Sequence, residues 1–128
     1  MKAVLDTSIL IGEQPLPPGI EAAISAMSLA ELHFGVLATA DPRERARRTA
    51  RLGLVEASFD ALPLDERVAR ALGQIQAAVA DGGRNPRPRT ADLAIAATAM
   101  AHEAVLLTTN SKDFRFLEDL VEIRVPFA

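Results

Sequence analysis

Four acidic residues stand where a chain would place them to share a cation. Asp6 ends the apolar run KAVLD and is followed by the hydroxyls of Thr7 and Ser8. Glu31 lies at the start of a helix that follows the run AAISAMS, Asp92 in the first turn of TADLAIAATAMAHEA, and Asp113 just after the buried run VLLTT. Brought together with no evident basic partner, these carboxylates would repel one another unless a cation were shared. An all-oxygen donor set suits a hard ion, Mg²⁺ or Mn²⁺. Each acid taken singly has a plainer explanation: Ser28 with Glu31 reads as a capping box, Thr90 with Asp92 as complementation of a helix dipole, and Ser111 as the cap of a turn containing Asp113. Asp6 resists that reading, because a cap for so short a following segment needs no uninterrupted buried strand leading into it. Four such placements in one small domain favour a shared site.

The elements that must position these acids follow from periodicity. KAVLD reads as a strand, GEQPLPPGI as a loop, and AAISAMS as a second strand-like run. SLAELHFGVLATAD has helical spacing with Ser28 at its cap, weakened slightly by Gly35. DPRERARRTARLGL has Asp41 and Pro42 in cap and first-turn positions of a basic helix. A short strand is expected over 59–64 and an amphipathic helix over 65–80, closed by DGG. TADLAIAATAMAHEA is the last strong helix, VLLTT a buried strand, SKDFRFLEDL a helical turn, and VEIRV a final strand. Alternating strands and helices imply a mainly parallel sheet covered on both faces, with right-handed crossovers that put every carboxyl end on one edge. A length of 128 residues at 49% hydrophobic content gives one domain, 1–128, with a real core. The absence of cysteine excludes disulfides and thiolate metal sites. No run is long enough to span a membrane or to serve as a signal peptide, so a cytoplasmic protein is expected.

The segments VLDTSILIG, MSLAELHFG and TADLAIAATAMAHEAVLLTTNSKDF together resemble the PIN-domain nucleases, and among them the VapC-type toxins of bacterial toxin–antitoxin pairs, over nearly the whole chain. The resemblance implies a three-layer α/β/α fold on a mainly parallel sheet of about four to five strands. It also implies an acidic quartet of Asp6, Glu31, Asp92 and Asp113. Asp6, Asp92 and Asp113 would hold Mg²⁺, with Mn²⁺ as a substitute and Glu31 acting directly or through water. Thr7, Ser8 and Asn110 are the polar supports, and Asn110 stands where many relatives have Asp. The implied chemistry is endonucleolytic hydrolysis of RNA to 5′-phosphate and 3′-hydroxyl ends, in a homodimer neutralised by a VapB-type antitoxin.

Arginine matches phosphate geometry, and two segments supply it. RERARRTAR holds five arginines in nine residues, and GGRNPRPR holds Arg84, Arg87 and Arg89 in an exposed loop leading into Asp92. The loop is the expected RNA contact, and the basic helix is a solvated face. Aromatic stacking is expected to be minor, with the five Phe in the core or an interface and Phe34 a candidate for the dimer contact. His33 falls on an apolar stripe as a partly buried side chain, and His102 complements a helix dipole. A haloacid-dehalogenase-type phosphatase fits poorly, since Ser8 stands where its second Asp is needed. A phosphoreceiver lacks its paired acids, and a non-catalytic RNA- or protein-binding module of the same fold is the alternative.

Overall fold

A computed structural model describes residues 1–127. Five strands, β1 (Lys2–Leu5), β2 (Glu21–Ser25), β3 (Ala61–Leu62), β4 (Val105–Leu107) and β5 (Ile123–Arg124), form one sheet in the order β3-β2-β1-β4-β5. Every neighbouring pair is parallel. β1 is central because its residues 3–5 are buried whichever way they point. Such a strand must be covered on both faces. Val4 and Leu106 pack on one side with α4 (Glu66–Asp81) and α5 (Thr90–Ala101), while Ala3, Leu5, Ile24 and Leu107 pack on the other with α1 (Thr7–Leu10), α2 (Ala26–Ala38) and α3 (Pro42–Ser58). This is the α/β/α sandwich expected from the alternation of elements.

Local chemistry sets the boundaries. α2 begins at Ala26, with the Ser25 hydroxyl accepting from the Met27 N–H at 3.1 Å. Ser28 is therefore not the cap. It is buried inside the helix, and the capping box with Glu31 does not form because Glu31 sits in the second turn. α3 starts as its sequence indicates, Asp41 accepting from the Arg43 N–H with Pro42 in the first turn. α4 is capped by Asp65 and buries the stripe Val68, Ala71, Ile75 and Val79. Gly83 leaves it with φ +79°, the left-handed conformation glycine tolerates best. α5 has no polar stripe along 93–99, all of it buried between the sheet and α4. Alanine there lets the backbones approach closely. α6 (Ser111–Phe114) is a single turn continued by a 3-10 turn, Arg115–Leu117.

The strand order reverses between β1 and β4, where connections leave toward opposite edges of the sheet. Crevices at such switch points, outside the carboxyl ends, are where open parallel sheets bind ligands. Leu5 is in register with both Ile24 and Leu107, so the next residues along, Asp6, Ser25 and Thr108, stand side by side at the carboxyl ends of the three strands, beneath that crevice.

Candidate active site

Asp6 occupies the N-cap position of α1 but makes no capping hydrogen bond. Its Oδ2 instead accepts from the Ser8 and Thr108 hydroxyls, both at 2.8 Å. The residue is 4% exposed. Its Oδ1 accepts no hydrogen bond among the described residues and is not sealed from solvent. Two hydroxyls thus fix one carboxylate oxygen and leave the other presented. Thr108 holds the Asn110 N–H at 3.0 Å and Ser8 holds the Thr109 N–H at 3.1 Å, which ties the turn after β4 to the turn after β1.

Glu31 is placed by the same turn. Thr7 Oγ1 donates to Glu31 Oε1 at 2.7 Å and lies 3.1 Å from the hydroxyl of buried Ser28. Burial pushes the Glu31 carboxyl above its ordinary range; the Thr7 hydrogen bond opposes this, and the charges of Asp92 and Asp6 add to it. Asp92, in the first turn of α5, is raised by burial and by Asp6, lowered by Arg89, and raised again by Asp113. These mutual influences place Asp6, Glu31 and Asp92 within one another's electrostatic reach, with Asp113 coupled to Asp92. Asp113 and Asn110 are exposed on the far rim.

Contrary to the expectation from the sequence, the acids do have a basic partner. Arg89 approaches Asp92 Oδ2 at 3.4 Å, and its guanidinium carbon lies 5.4 Å and 5.1 Å from the ring centroids of Phe114 and Phe116. Arg84 lies 5.1 Å from the Phe116 centroid. Of the loop arginines only Arg84 and Arg87 are exposed, since Arg89 is folded into the rim; Phe114 lies in the core as expected, with Phe116 packed against it, and both rings also underlie Arg89. The basic helix is also more than a solvated face. A cavity of about 610 Å³ runs from Thr7 and Glu31 to Glu44, Arg47, Arg48 and Arg51 of α3. Glu44 accepts from Arg47 and Arg48, which hold its carboxyl down at about 2.

Only His102 stands where expected, at the C-terminal end of α5. His33 is exposed, with Nε2 3.6 Å from Glu56, because the buried face of α2 is set by Ser28 and Leu32. His102 follows α5, and burial, Arg67 and Lys2 hold its pKa below the ordinary value, which disfavours the charged form that would complement the dipole.

Among the described residues no three acidic or histidine side chains stand close enough together to enclose a cation on their own. The donor set nonetheless fits a hard ion of the Mg²⁺ kind, which retains several waters and takes only one or two carboxylates directly, with phosphate oxygens completing its shell. Asp6 and the half-buried Asp92 are suited to that role, and the charges of Glu31 and Asp113 are felt at the same place. Thr108 and the ring platform under Arg89 are absent from the sequence expectations, and Ser28, expected as a cap, instead stands beside the Thr7 hydroxyl. Thr108 was open to the strand-end logic that singled out Asp6, because it follows the other strand of the switch point.

The PIN domain family model matches residues 3–119. Ribonuclease VapC5 of Mycobacterium tuberculosis is 36% identical over 129 residues, covering 95% of this chain and 92% of that protein. Ribonuclease VapC4 of the same organism is 31% identical over 134 residues, covering 97% of each. The crystal structure of VapBC-5 from M. tuberculosis, a member of the VapBC family of toxin–antitoxin systems, contains a chain that superposes with a TM-score of 0.83 at 34% identity, over 99% of this chain and 98% of that one. An acidic crevice at the switch point of a five-stranded parallel sheet and similarity along nearly the full length lead to one assignment: this chain belongs to the PIN-domain family, within its VapC group.

Proposed function

We propose that the protein is a divalent-metal-dependent endoribonuclease toxin of a type II toxin–antitoxin pair. The observation that carries the reading is the convergence of Asp6, Glu31 and Asp92 at the switch point, with Asp6 Oδ1 left open and Glu31 and Asp92 raised by their shared confinement. The ribonuclease names of the two relatives and the toxin–antitoxin complex of the structural neighbour support it.

Asp6, Asp92 and Asp113 are the proposed metal-holding residues, with Mg²⁺ the ion and Mn²⁺ its substitute. Bound there, a divalent ion supplies an acidified water and offsets charge on the phosphoryl oxygens. The chain's own groups do the rest. Ser8 and Thr108 keep Asp6 in a single orientation. Thr7 occupies Glu31 Oε1 and leaves Oε2 to accept the proton of the attacking water, for which a raised pKa is an advantage. Attack on phosphorus with loss of the 3′ oxygen gives the 5′-phosphate and 3′-hydroxyl ends. Asn110 orders the turn through its N–H bond to Thr108. Arg84, Arg87 and Arg89 are the proposed phosphate contacts.

A VapB-type antitoxin is the proposed partner, and Phe34, 72% exposed on α2, the proposed contact of a homodimer. No helix among the described residues is long and apolar enough to cross a membrane; a cytoplasmic site of action is proposed with the RNA substrate. Purified protein incubated with total RNA and Mg²⁺, followed by mapping of the new 5′ ends, tests the activity. Recurrent cuts that vanish with chelator and in Asp6→Asn are expected. Intact RNA under all conditions would favour the non-catalytic module.

A further inference from the structure

Phe114 and Phe116 lie in the helical turns after β4. Phe114 is buried in the core, and Phe116 is partly buried against the same cluster. Arg89 rests over both rings and Arg84 over Phe116. Two arginines of the segment entering α5 are thus seated on rings that belong to the opposite rim of the crevice. A ring fixes a guanidinium through its face and leaves the in-plane N–H donors free.

The acids are not what hold these arginines. The contact of Arg89 with Asp92 is 3.4 Å, longer than a charge-assisted hydrogen bond, and Arg84 makes no ion pair among the described residues. Position is therefore set by the aromatic platform, with Arg84 exposed and the Arg89 side chain 27% exposed. Arg87 has no ring beneath it among the described residues and is exposed. A mobile arginine must lose rotamer freedom when it grips a phosphate, whereas a stacked one has already lost it.

We propose that Phe116 is a positioning residue, holding Arg84 and Arg89 as a two-arginine clamp for the backbone phosphates of single-stranded RNA at the rim of the acidic crevice. The proposal rests on the ribonuclease reading. It separates the three loop arginines into two that are preorganised and one that is not.

The test is the binding of a labelled single-stranded RNA pool across a salt series, in an Asp6→Asn background that prevents cleavage. Arg84→Gln and Arg89→Gln should each lower the log–log salt slope by about 0.7. Arg87→Gln should lower affinity less than either. Phe116→Leu removes no charge, yet it should weaken binding several-fold and lower the slope toward that of the arginine variants, and Phe116→Tyr should restore both. Thermal melts confirm folding, and Phe116→Met, flexible and without a ring, serves if the Leu variant does not fold. Parental affinity and slope in a folded ringless variant, or a Tyr variant no better than Leu, would overturn the proposal. A parent protein that binds no RNA would overturn the ribonuclease reading itself, and the clamp with it.

Discussion

Glu31 and Glu44 line the same cavity, and their surroundings push them in opposite directions. Glu31 is partly buried, faces Asp6 and Asp92, and is raised; Glu44 is held by Arg47 and Arg48 on an exposed helix and falls to about 2. The helix satisfies its charges internally through i,i+3 and i,i+4 pairs. The crevice leaves its charges without full compensation, with hydroxyls for orientation and one arginine, Arg89, 3.4 Å from Asp92. Like charges confined without a full complement of counter-ions destabilise the chain and create affinity for a cation. That contrast separates a site from a surface more sharply than counts of acids and bases.

The strongest challenge to the contrast is Asp6→Asn. It should lower cleavage about a thousandfold or more, since it removes both a metal-holding oxygen and the charge the ion needs. Without metal the variant should melt no lower than the parent, because repulsion with Glu31 and Asp92 is relieved while an oxygen still accepts from Ser8 and Thr108. The parent should gain stability as Mg²⁺ rises and the variant should gain much less. Melting curves across a metal series decide the matter. A parent indifferent to Mg²⁺, paired with a much less stable variant, would make the acids structural.

Thr108→Val is milder and probes orientation alone. It strips one donor from Asp6 Oδ2 and leaves the Asn110 N–H without its partner, a cost to stability of about 1–3 kcal/mol. Cleavage should fall by about 10- to 100-fold, as when residues behind metal ligands are removed. Metal-dependent stabilisation should persist in weakened form. Cleavage equal to that of the parent would show that Ser8 alone suffices to orient Asp6.

Most of the fold was legible because burial writes itself into spacing. The unbroken apolar run of residues 3–5 marked a central parallel strand, and the stripe from Val68 to Val79 marked a helix with one buried face. The Asp65 and Asp41 caps were equally direct. The boundary of α2 was not, because Ser25 and Ser28 are both acceptable caps locally. Only the sheet decides: Ser25 ends β2 and its hydroxyl meets the Thr98 hydroxyl across the core at 3.1 Å. The acids were visible as strand-end and helix-start residues. Thr7 and Ser8, adjacent to Asp6, were visible too, whereas Thr108 lies 102 positions from Asp6 and the rings under Arg89 come from a different segment of the chain. No local pattern encodes such a meeting.

A smaller effect is expected from pH. Glu31 and Asp92 have raised folded-state pKa values, so the native chain holds their protons more tightly than the unfolded chain does. Their contribution is fully favourable below the unfolded values, near 3.8 for Asp92 and 4.5 for Glu31, and is lost as pH rises through the higher folded values. In chelator, stability of the parent relative to a Glu31→Gln/Asp92→Asn double variant should therefore fall as pH rises from about 4 toward neutrality. Denaturant midpoints of both proteins across that range give the difference directly. A rising difference would mean that cations such as Arg89 outweigh burial and repulsion in the crevice.

The least disruptive change is Glu44→Gln, and it tests the other half of the contrast. The pairs it removes are on the surface, where holding two long side chains in place offsets most of the attraction and salt screens what remains. At neutral pH the melting temperature should hardly move. Because the folded pKa of Glu44 is depressed, whatever it contributes is present above 4.5 and lost as pH falls toward about 2. Parent and variant should therefore converge in acid, the opposite of the trend for Glu31 and Asp92. The released Arg47 and Arg48 border the cavity that Glu31 also lines. With Glu44 gone they are free to turn toward Glu31 and draw its carboxyl down, which a carboxyl NMR titration of Glu31 reads. A lowered Glu31 in the variant would show that Glu44 keeps the arginines of α3 from neutralising the crevice. An unmoved Glu31 would mean that the two charge clusters, though they share a cavity, are electrostatically independent.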